Sequence, residues 1–326
     1  MSTTQPLYPL RFKPIFRRYL WGGRRLGEVL GKAIGPEADY AESWEIVDHG
    51  EDQSVVVAGS LEGATLHDLV TKRGGELLGK HHPQSRFPLL FKFLDAQQTL
   101  SVQVHPDDAR AAKLTPPDYG KTEAWYVIDA QPDSLIFAGL KRGFDRDTLA
   151  RELHRGTAEM CLHRFEPTSG DCVLLPAGLI HAIGAGLLVA EIQQSSDTTY
   201  RLFDWNRVGP DGKPRQLHLD LGLEAVDDRL GPGEARVPSA TNQPECVQLA
   251  ACDKFVLNRW QFTAPITIGG DDRCHILAVV GGSALLDGDP TGKPVPFGGT
   301  AILPAACGAV KITPVGEATV LDATLP

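Results

Sequence analysis

Two histidines, a glutamate and a glutamine occupy positions from which they could share one metal ion. His181 closes the segment Gly170-Asp171-Cys172-Val173-Leu174-Leu175-Pro176-Ala177-Gly178-Leu179-Ile180-His181. Its pattern is Gly, five residues, Pro, one residue, Gly, two residues, His. This frame takes a strand through a tight turn and back, so the His enters on the returning strand. The frame recurs at Gly298-Gly299-Thr300-Ala301-Ile302-Leu303-Pro304-Ala305-Ala306-Cys307-Gly308-Ala309, with Ala306 and Ala309 where the first copy has Gly178 and His181. One copy can bind metal and the other reads as structural. His105 ends Leu100-Ser101-Val102-Gln103-Val104-His105, whose alternation predicts a strand with Ser101, Gln103 and His105 on one face and Val102 and Val104 on the other. Glu123 opens a further strand in Gly120-Lys121-Thr122-Glu123-Ala124-Trp125-Tyr126. Two imidazoles and a carboxylate supply the donors of an open catalytic zinc site, with the Gln103 amide oxygen as a fourth donor and a water or substrate oxygen completing the shell. Taken singly, each has a plainer reading: a strand histidine commonly only hydrogen-bonds, and Gln103 alone is a polar strand residue.

The elements that must position these side chains are mainly short strands. Residues 86 to 105 predict two apolar strands joined at Asp95-Ala96-Gln97-Gln98, followed by a helix start at Pro106-Asp107-Asp108, with Pro at the first helical position and acids in the first turn. Further strands are expected at 123 to 129, 134 to 139, 160 to 166, 171 to 175 and 186 to 193. A helix is expected from 146 to 155, capped by Asp145 and stopped by Gly156. Leu66, Leu69, Val70, Leu77 and Leu78 recur at near-helical intervals broken by Gly74-Gly75, which gives a helical excursion over 62 to 81 that covers a sheet end. The Gly231-Pro232-Gly233 region reads as a linker, placing a domain boundary near residue 235. Beyond it strands are expected at 255 to 262, 274 to 280, 283 to 286, 301 to 304 and 309 to 313. The fold class is therefore mainly β, with two jelly-roll domains, 1–235 and 236–326, and a few helices.

Composition agrees with that class and excludes others. A chain of 326 residues with 42% apolar residues, 24 prolines and 34 glycines is long enough for two packed domains and too turn-rich for a helical bundle. A net charge of -9 with dispersed basic residues argues against nucleic-acid binding, so an anionic ligand must meet a local cationic cluster. The N-terminus lacks the features of a secretory signal, and no apolar run approaches the roughly 18 residues of a membrane span. A cytoplasmic protein with no membrane partner is expected. The six cysteines contain no CxxC pair and are expected to be buried, reduced thiols.

Six ordered motifs give the chain a family resemblance: Tyr19-Leu20-Trp21-Gly22-Gly23, Ala41-Glu42-Ser43-Trp44-Glu45, Phe87 to Ala96, Leu100 to Asp108, Gly120 to Tyr126, and Glu191-Ile192-Gln193-Gln194-Ser195-Ser196-Asp197-Thr198-Thr199-Tyr200-Arg201. From about Phe16 to the C-terminus the chain resembles type I phosphomannose isomerases, zinc enzymes of the cupin superfamily, in their short bacterial form without a large helical insertion. The resemblance implies zinc, one per chain, bound by Gln103, His105, Glu123 and His181, and interconversion of mannose 6-phosphate and fructose 6-phosphate. Cupins commonly offer two histidines in the first motif and a nearby Glu; here Gln103 and the more distant Glu123 follow the isomerase pattern. Some longer relatives carry Tyr two residues after the second histidine, where this chain has Ile183.

Aldose–ketose isomerisation moves a proton between C2 and C1 through a cis-enediol, which calls for a proton shuttle and cations beside the developing oxyanion. The resemblance implies Arg201 and Lys121 as those cations. Glu191 or Asp197 could shuttle the proton or orient His181 or Arg201, and Glu191 is the residue advanced. Arg207, Ser101 and Lys92 are expected at the sugar phosphate. Trp21, Trp44 and Trp125 are expected to pack, with Trp21 and Trp44 also able to wall the sugar. Asp107 and Asp108 read as first-turn acids, and His81-His82 as surface residues. A catalytically silent sugar-phosphate-binding cupin would be expected to lack Lys121, Glu123 or Arg201, and an iron-dependent cupin oxygenase would carry a His-rich first motif; neither pattern is found.

Overall fold

The computed structural model describes residues 6–208 and 212–326. Among these the chain is mainly β with few helices, and every strand pair is antiparallel. Two sheets face each other in the first half. One runs in the spatial order Cys172–Leu175, Glu123–Ala130, Leu187–Gln194, Leu89–Ala96, Tyr40–Ile46, Ile15–Gly23. The other runs Leu162–Phe165, Ile136–Leu140, His181–Ile183, Val102–Val104, Tyr200–Phe203.

Strand parity sorts the side chains. In Leu89–Ala96, Leu94 and Ala96 point between the sheets and join Val127, Val189 and Ile183 in the inner core, while Leu89, Phe91 and Phe93 point out into a second core. That outer core contains Ile276, Ala278, Leu321 and Ala323 of the C-terminal half, so this sheet is buried on both faces. Burial on both faces explains why its strands read as nearly continuous apolar runs. The outward residues of the five-stranded sheet, Val102 and Val104 among them, pack with Leu149 and Leu153 of the Arg146–Arg155 helix.

The helices follow local chemistry. Asp145 caps the Arg146–Arg155 helix through the Thr148 N–H and Gly156 closes it in the left-handed region at φ 71°, as expected from sequence. The 62 to 81 excursion is the Leu66–Leu78 helix, opened by a Thr65–Asp68 capping box. The expected break is a kink at Arg73 (φ -137°), immediately before Gly74-Gly75. After His105 the cap is Asp107, and the helix Asp108–Ala111 begins two residues past Pro106, because the Asp107 carboxylate accepts from the Arg110 N–H.

In the C-terminal half a seven-stranded sheet, residues 239 to 324, encloses its own core of Trp260, Phe262, Leu277, Val279, Ile312 and Val320. The runs expected at 274 to 280 and 283 to 286 are one strand, His275–Leu286, with register shifts near Gly281 and Gly282. The last is one strand, Ala309–Thr324. All six cysteines are free; Cys252 and Cys307 are only half-buried, a departure from the expectation of six buried thiols. No helix of the described residues is long and apolar enough to cross a membrane.

His275 lies buried between two acids, its Nδ1 2.8 Å from Asp322 Oδ1 and its Nε2 3.0 Å from Asp271 Oδ1. Burial opposes protonation, but the two carboxylates outweigh it and push the imidazole pKa up to about 9. A folded-state pKa above the ordinary 6.5 gives stability that is complete below pH 6.5 and lost as pH rises through 9. Urea unfolding between pH 6 and 9.5 should therefore show a decline of up to about 3 kcal/mol that His275→Gln abolishes. An identical decline in the variant would show that this pair is not its source.

Candidate metal centre and its cavity

The inward-facing positions of the two sheets converge on one cavity of about 220 Å³. Glu123 stands at the start of its strand opposite Gln193, and Glu191 lies between Lys92 and Trp125 on its two neighbours. On the facing sheet, Gln103 pairs with His181 on one side and Arg201 on the other. These registers bring the imidazoles and the carboxylate together: His105 Nε2 is 3.3 Å from Glu123 Oε1, and His181 Nε2 is 3.7 Å from Glu123 Oε2. All three residues are almost fully buried.

The outer nitrogens of both rings meet backbone carbonyls, His105 Nδ1 at 3.0 Å from Thr198 O and His181 Nδ1 at 2.8 Å from Leu179 O. A carbonyl only accepts, so each Nδ1 carries the hydrogen and each neutral ring presents a bare Nε2 lone pair to the cluster. Burial, with Lys121 nearby, lowers the His105 pKa to about 3, and burial also lowers that of His181. Burial raises the Glu123 carboxyl, but Lys121, His105 and His181 together more than offset this and hold it well below the usual range. The result is two lone pairs facing a carboxylate, with His105 Nε2 buried and without a hydrogen bond. Among the described residues these three form the group whose donor atoms lie close enough for one ion, all within 4.8 Å of one another. Bond lengths of ~2.0–2.1 Å to a tetrahedral ion put neighbouring donors ~3.3–3.4 Å apart; the 3.3 Å separation of His105 from Glu123 matches this, and the 3.7 Å separation of His181 from Glu123 exceeds it.

Around this cluster Lys121 Nζ is 2.9 Å from Glu123 Oε1. Gln103 lines the same cavity, its Nε2 donating to Ser101 Oγ at 3.1 Å. Glu191 accepts from Trp125 Nε1 at 2.9 Å and its Oε1 is 3.2 Å from Lys92 Nζ. Burial and then the Glu123 charge raise the Glu191 pKa to about 7 against the pull of Lys92 and Lys121. Asp197 is exposed at the cavity mouth.

The cationic residues fall into two groups. Arg201 donates to Ser101 Oγ and Gln216 O at 3.2 and 3.0 Å, so both acceptors are uncharged. Arg207 lies outside this cavity in an adjoining cleft; it donates to Thr99 O and is paired with Asp204. Arg215, which sequence reasoning passed over, lines both spaces and binds Asp204 through Nε at 2.7 Å and Nη2 at 2.6 Å. Lys92 lines the cavity and is buried, 3.2 Å from Glu191 and 3.7 Å from Glu42. Glu42 also lines the cavity and was likewise passed over, although it sits in a quoted motif. Trp21 walls the cavity, whereas Trp44 is packed away with its Nε1 donating to Glu42 at 2.6 Å. His82 is exposed and His81 half-buried.

Comparison with known proteins places this geometry. A family model described as the catalytic domain of type I phosphomannose isomerase matches residues 10–131. The mannose-6-phosphate isomerase ManA of Bacillus subtilis is 34% identical over 98% of this chain and 99% of its own. The mannose-6-phosphate isomerase of Streptococcus mutans is 34% identical over 79% of this chain and 80% of its own. The crystal structure of the mannose 6-phosphate isomerase from Bacillus subtilis superposes with a TM-score of 0.88 at 31% identity, covering 97% of this chain and 99% of that one.

The burial of Lys92 separates two roles for it. Lys92→Met would leave Glu42 and Glu191 buried without their cation and should cost roughly 3–5 kcal/mol in urea unfolding. A stability change within about 0.5 kcal/mol, accompanied by a raised KM, would return Lys92 to phosphate contact.

Proposed function

The chain belongs to the type I phosphomannose isomerase family, and we propose that zinc, held by Gln103, His105, Glu123 and His181, is the metal with which it interconverts mannose 6-phosphate and fructose 6-phosphate. The observation that carries this reading is the pair of tautomer-fixed imidazoles whose lone pairs converge on the Glu123 carboxylate. Neutral nitrogen and anionic oxygen donors suit a borderline-soft dication, and the Gln103 amide oxygen is the fourth donor. When bound, the ion supplies a Lewis acid that polarises and orients the substrate oxygens.

The chain's own residues do the rest. Glu191 is the proton shuttle between C2 and C1: it is buried, lines the cavity, and is oriented by Trp125 at one oxygen and by the Lys92 ammonium at the other. A group whose pKa lies near neutrality can both take and return a proton. Arg201 and Lys121 line the same cavity and act as fixed positive charges beside the enediolate oxygens as negative charge builds. Trp21 and Trp125 exclude water from the sugar. The phosphate lies toward Ser101 and Arg215, with Arg207 behind them across Asp204. Lys92 is assigned to fixing Glu191 instead. The catalytic unit is residues 1–235, with 236–326 packing behind its larger sheet, and the enzyme works in the cytosol.

His105→Ala should remove stoichiometric zinc, read by elemental analysis, and abolish fructose 6-phosphate formation in a coupled assay. Full turnover with zinc retained would overturn the assignment. Arg207→Ala and Arg215→Ala should each raise KM for mannose 6-phosphate more than they lower kcat, because they remove binding common to ground and transition states. An unchanged KM in either variant would remove that residue from the phosphate site.

A further inference from the structure

The two imidazoles of the metal centre are held by carbonyls of different origin. The acceptor for His181 Nδ1 is Leu179 O, two residues back on its own segment, in a turn closed by the Leu179 N–H to Pro176 O bond. The acceptor for His105 Nδ1 is Thr198 O, 93 residues further along the chain, in the turn between the Leu187–Gln194 and Tyr200–Phe203 strands. A carbonyl borrowed from a distant turn orients a ring only if that turn is itself fixed.

The anchor is Asp118. Its Oδ2 accepts from Thr198 Oγ1 at 2.9 Å and from Ser196 Oγ at 2.8 Å, and Ser196 Oγ in turn accepts from the Thr198 N–H at 3.2 Å. Both the side chain and the peptide nitrogen of Thr198 are thereby tied to one carboxylate, which sets the direction of its carbonyl. Asp118 is held from the other side by Arg86 Nη2 at 2.6 Å and by the Tyr119 N–H at 2.9 Å, with His49 Nε2 at 3.4 Å. It does not line the catalytic cavity; it faces a separate cleft of about 1080 Å³.

We propose that Asp118 is a positioning residue for the metal ligand His105, acting through Ser196, Thr198 and the Thr198 carbonyl. The proposal rests on the metal-centre reading above. Partners that orient a ligating histidine typically change metal affinity by ~10–100-fold when lost, and Asp118 works one bond further out, at the lower end of that range.

The test compares Asp118→Asn, Thr198→Val and Thr198→Ser in the full-length apoprotein, with Co²⁺ as the probe and affinity measured by chelator competition. Thr198→Ser keeps the hydroxyl and should bind within about twofold of the parent, while Thr198→Val and Asp118→Asn should bind ~10-fold more weakly. kcat should fall at limiting metal and recover toward the parent when metal is saturating. Equal affinities for Thr198→Val and Thr198→Ser would overturn the proposal, and this pair decides it even if Asp118→Asn fails to fold. Failure of the parent apoprotein to take up Co²⁺ would instead overturn the metal-centre reading, and the proposal with it.

Discussion

The hydrogen bond from each histidine Nδ1–H to a backbone carbonyl is the constraint on which the site depends. With Nδ1 protonated and the rings buried, the only unshared electron pairs left on the imidazoles are on Nε2, and both are turned toward the Glu123 carboxylate. Lys121 Nζ, 2.9 Å from Glu123 Oε1, offsets the carboxylate charge, but the two Nε2 lone pairs still face it in a low-dielectric interior, where a missing partner is costly. On the metal-centre reading, a bound divalent ion would relieve it. On that reading, the two sheets need only deliver the donor side chains at the correct parity and hold two carbonyls still.

Parity was also the part most legible in sequence. The alternation of Ser101, Gln103 and His105 against Val102 and Val104 predicted which face would turn inward, and the structure puts the valines in the outer core and Gln103 in the cavity. The Gly-Pro-Gly-His frame fixed how His181 returns, and its second copy marked the C-terminal half as lacking that ligand. The Asp145 cap and Gly156 stop located one helix to the residue. These features depend on a few neighbouring residues, and sequence displays them directly.

What sequence could not display is pairing between strands distant in the chain. Lys92 looks like an accessible strand lysine until the register sets it opposite Glu191 and near Glu42, where it becomes a buried counter-ion. Asp108 reads as a helix-opening acid, yet its carboxylate receives the Gly120 N–H, Gln194 Nε2 and the Lys254 ammonium of the C-terminal half. A Cβ at Gly120 would lie 2.6 Å from the Asp108 nitrogen, so the loop bearing Lys121 is clamped against this helix. The C-terminal half thus reaches the helix that clamps the Lys121 loop through the Lys254–Asp108 ion pair, in addition to covering the larger sheet. Arg215 carried no local signal, because its meaning comes from Asp204 and from the cavity it enters.

Charge in the cavity gives the substrate reading a physical basis. Lys92, Lys121, Arg201 and Arg215 line it, and so do Glu42, Glu123, Glu191 and Asp197; the four cations and four carboxylates cancel when Glu191 is ionised. Both histidines are neutral, since burial lowers their pKa values. A bound divalent ion would therefore leave the cavity about two charges positive, and a phosphate monoester at neutral pH carries ≈ −1.5 to −2. On that reading the unliganded, metal-bound and substrate-bound states differ by charges that compensate in turn. The cations also lie unevenly: Lys92 and Lys121 are paired within 3.2 Å of Glu191 and Glu123, whereas Arg201 donates to uncharged oxygens. Arg215 is paired with Asp204, which Arg207 shares, so positive charge is in excess where these arginines and Arg201 meet. On the proposed reading, a sugar phosphate bound with its dianion toward Arg215 would present its other end, the C1–C2 bond, to Arg201, the Glu123 cluster and Glu191. A sugar lacking the phosphate would have no comparable force to choose between the two orientations.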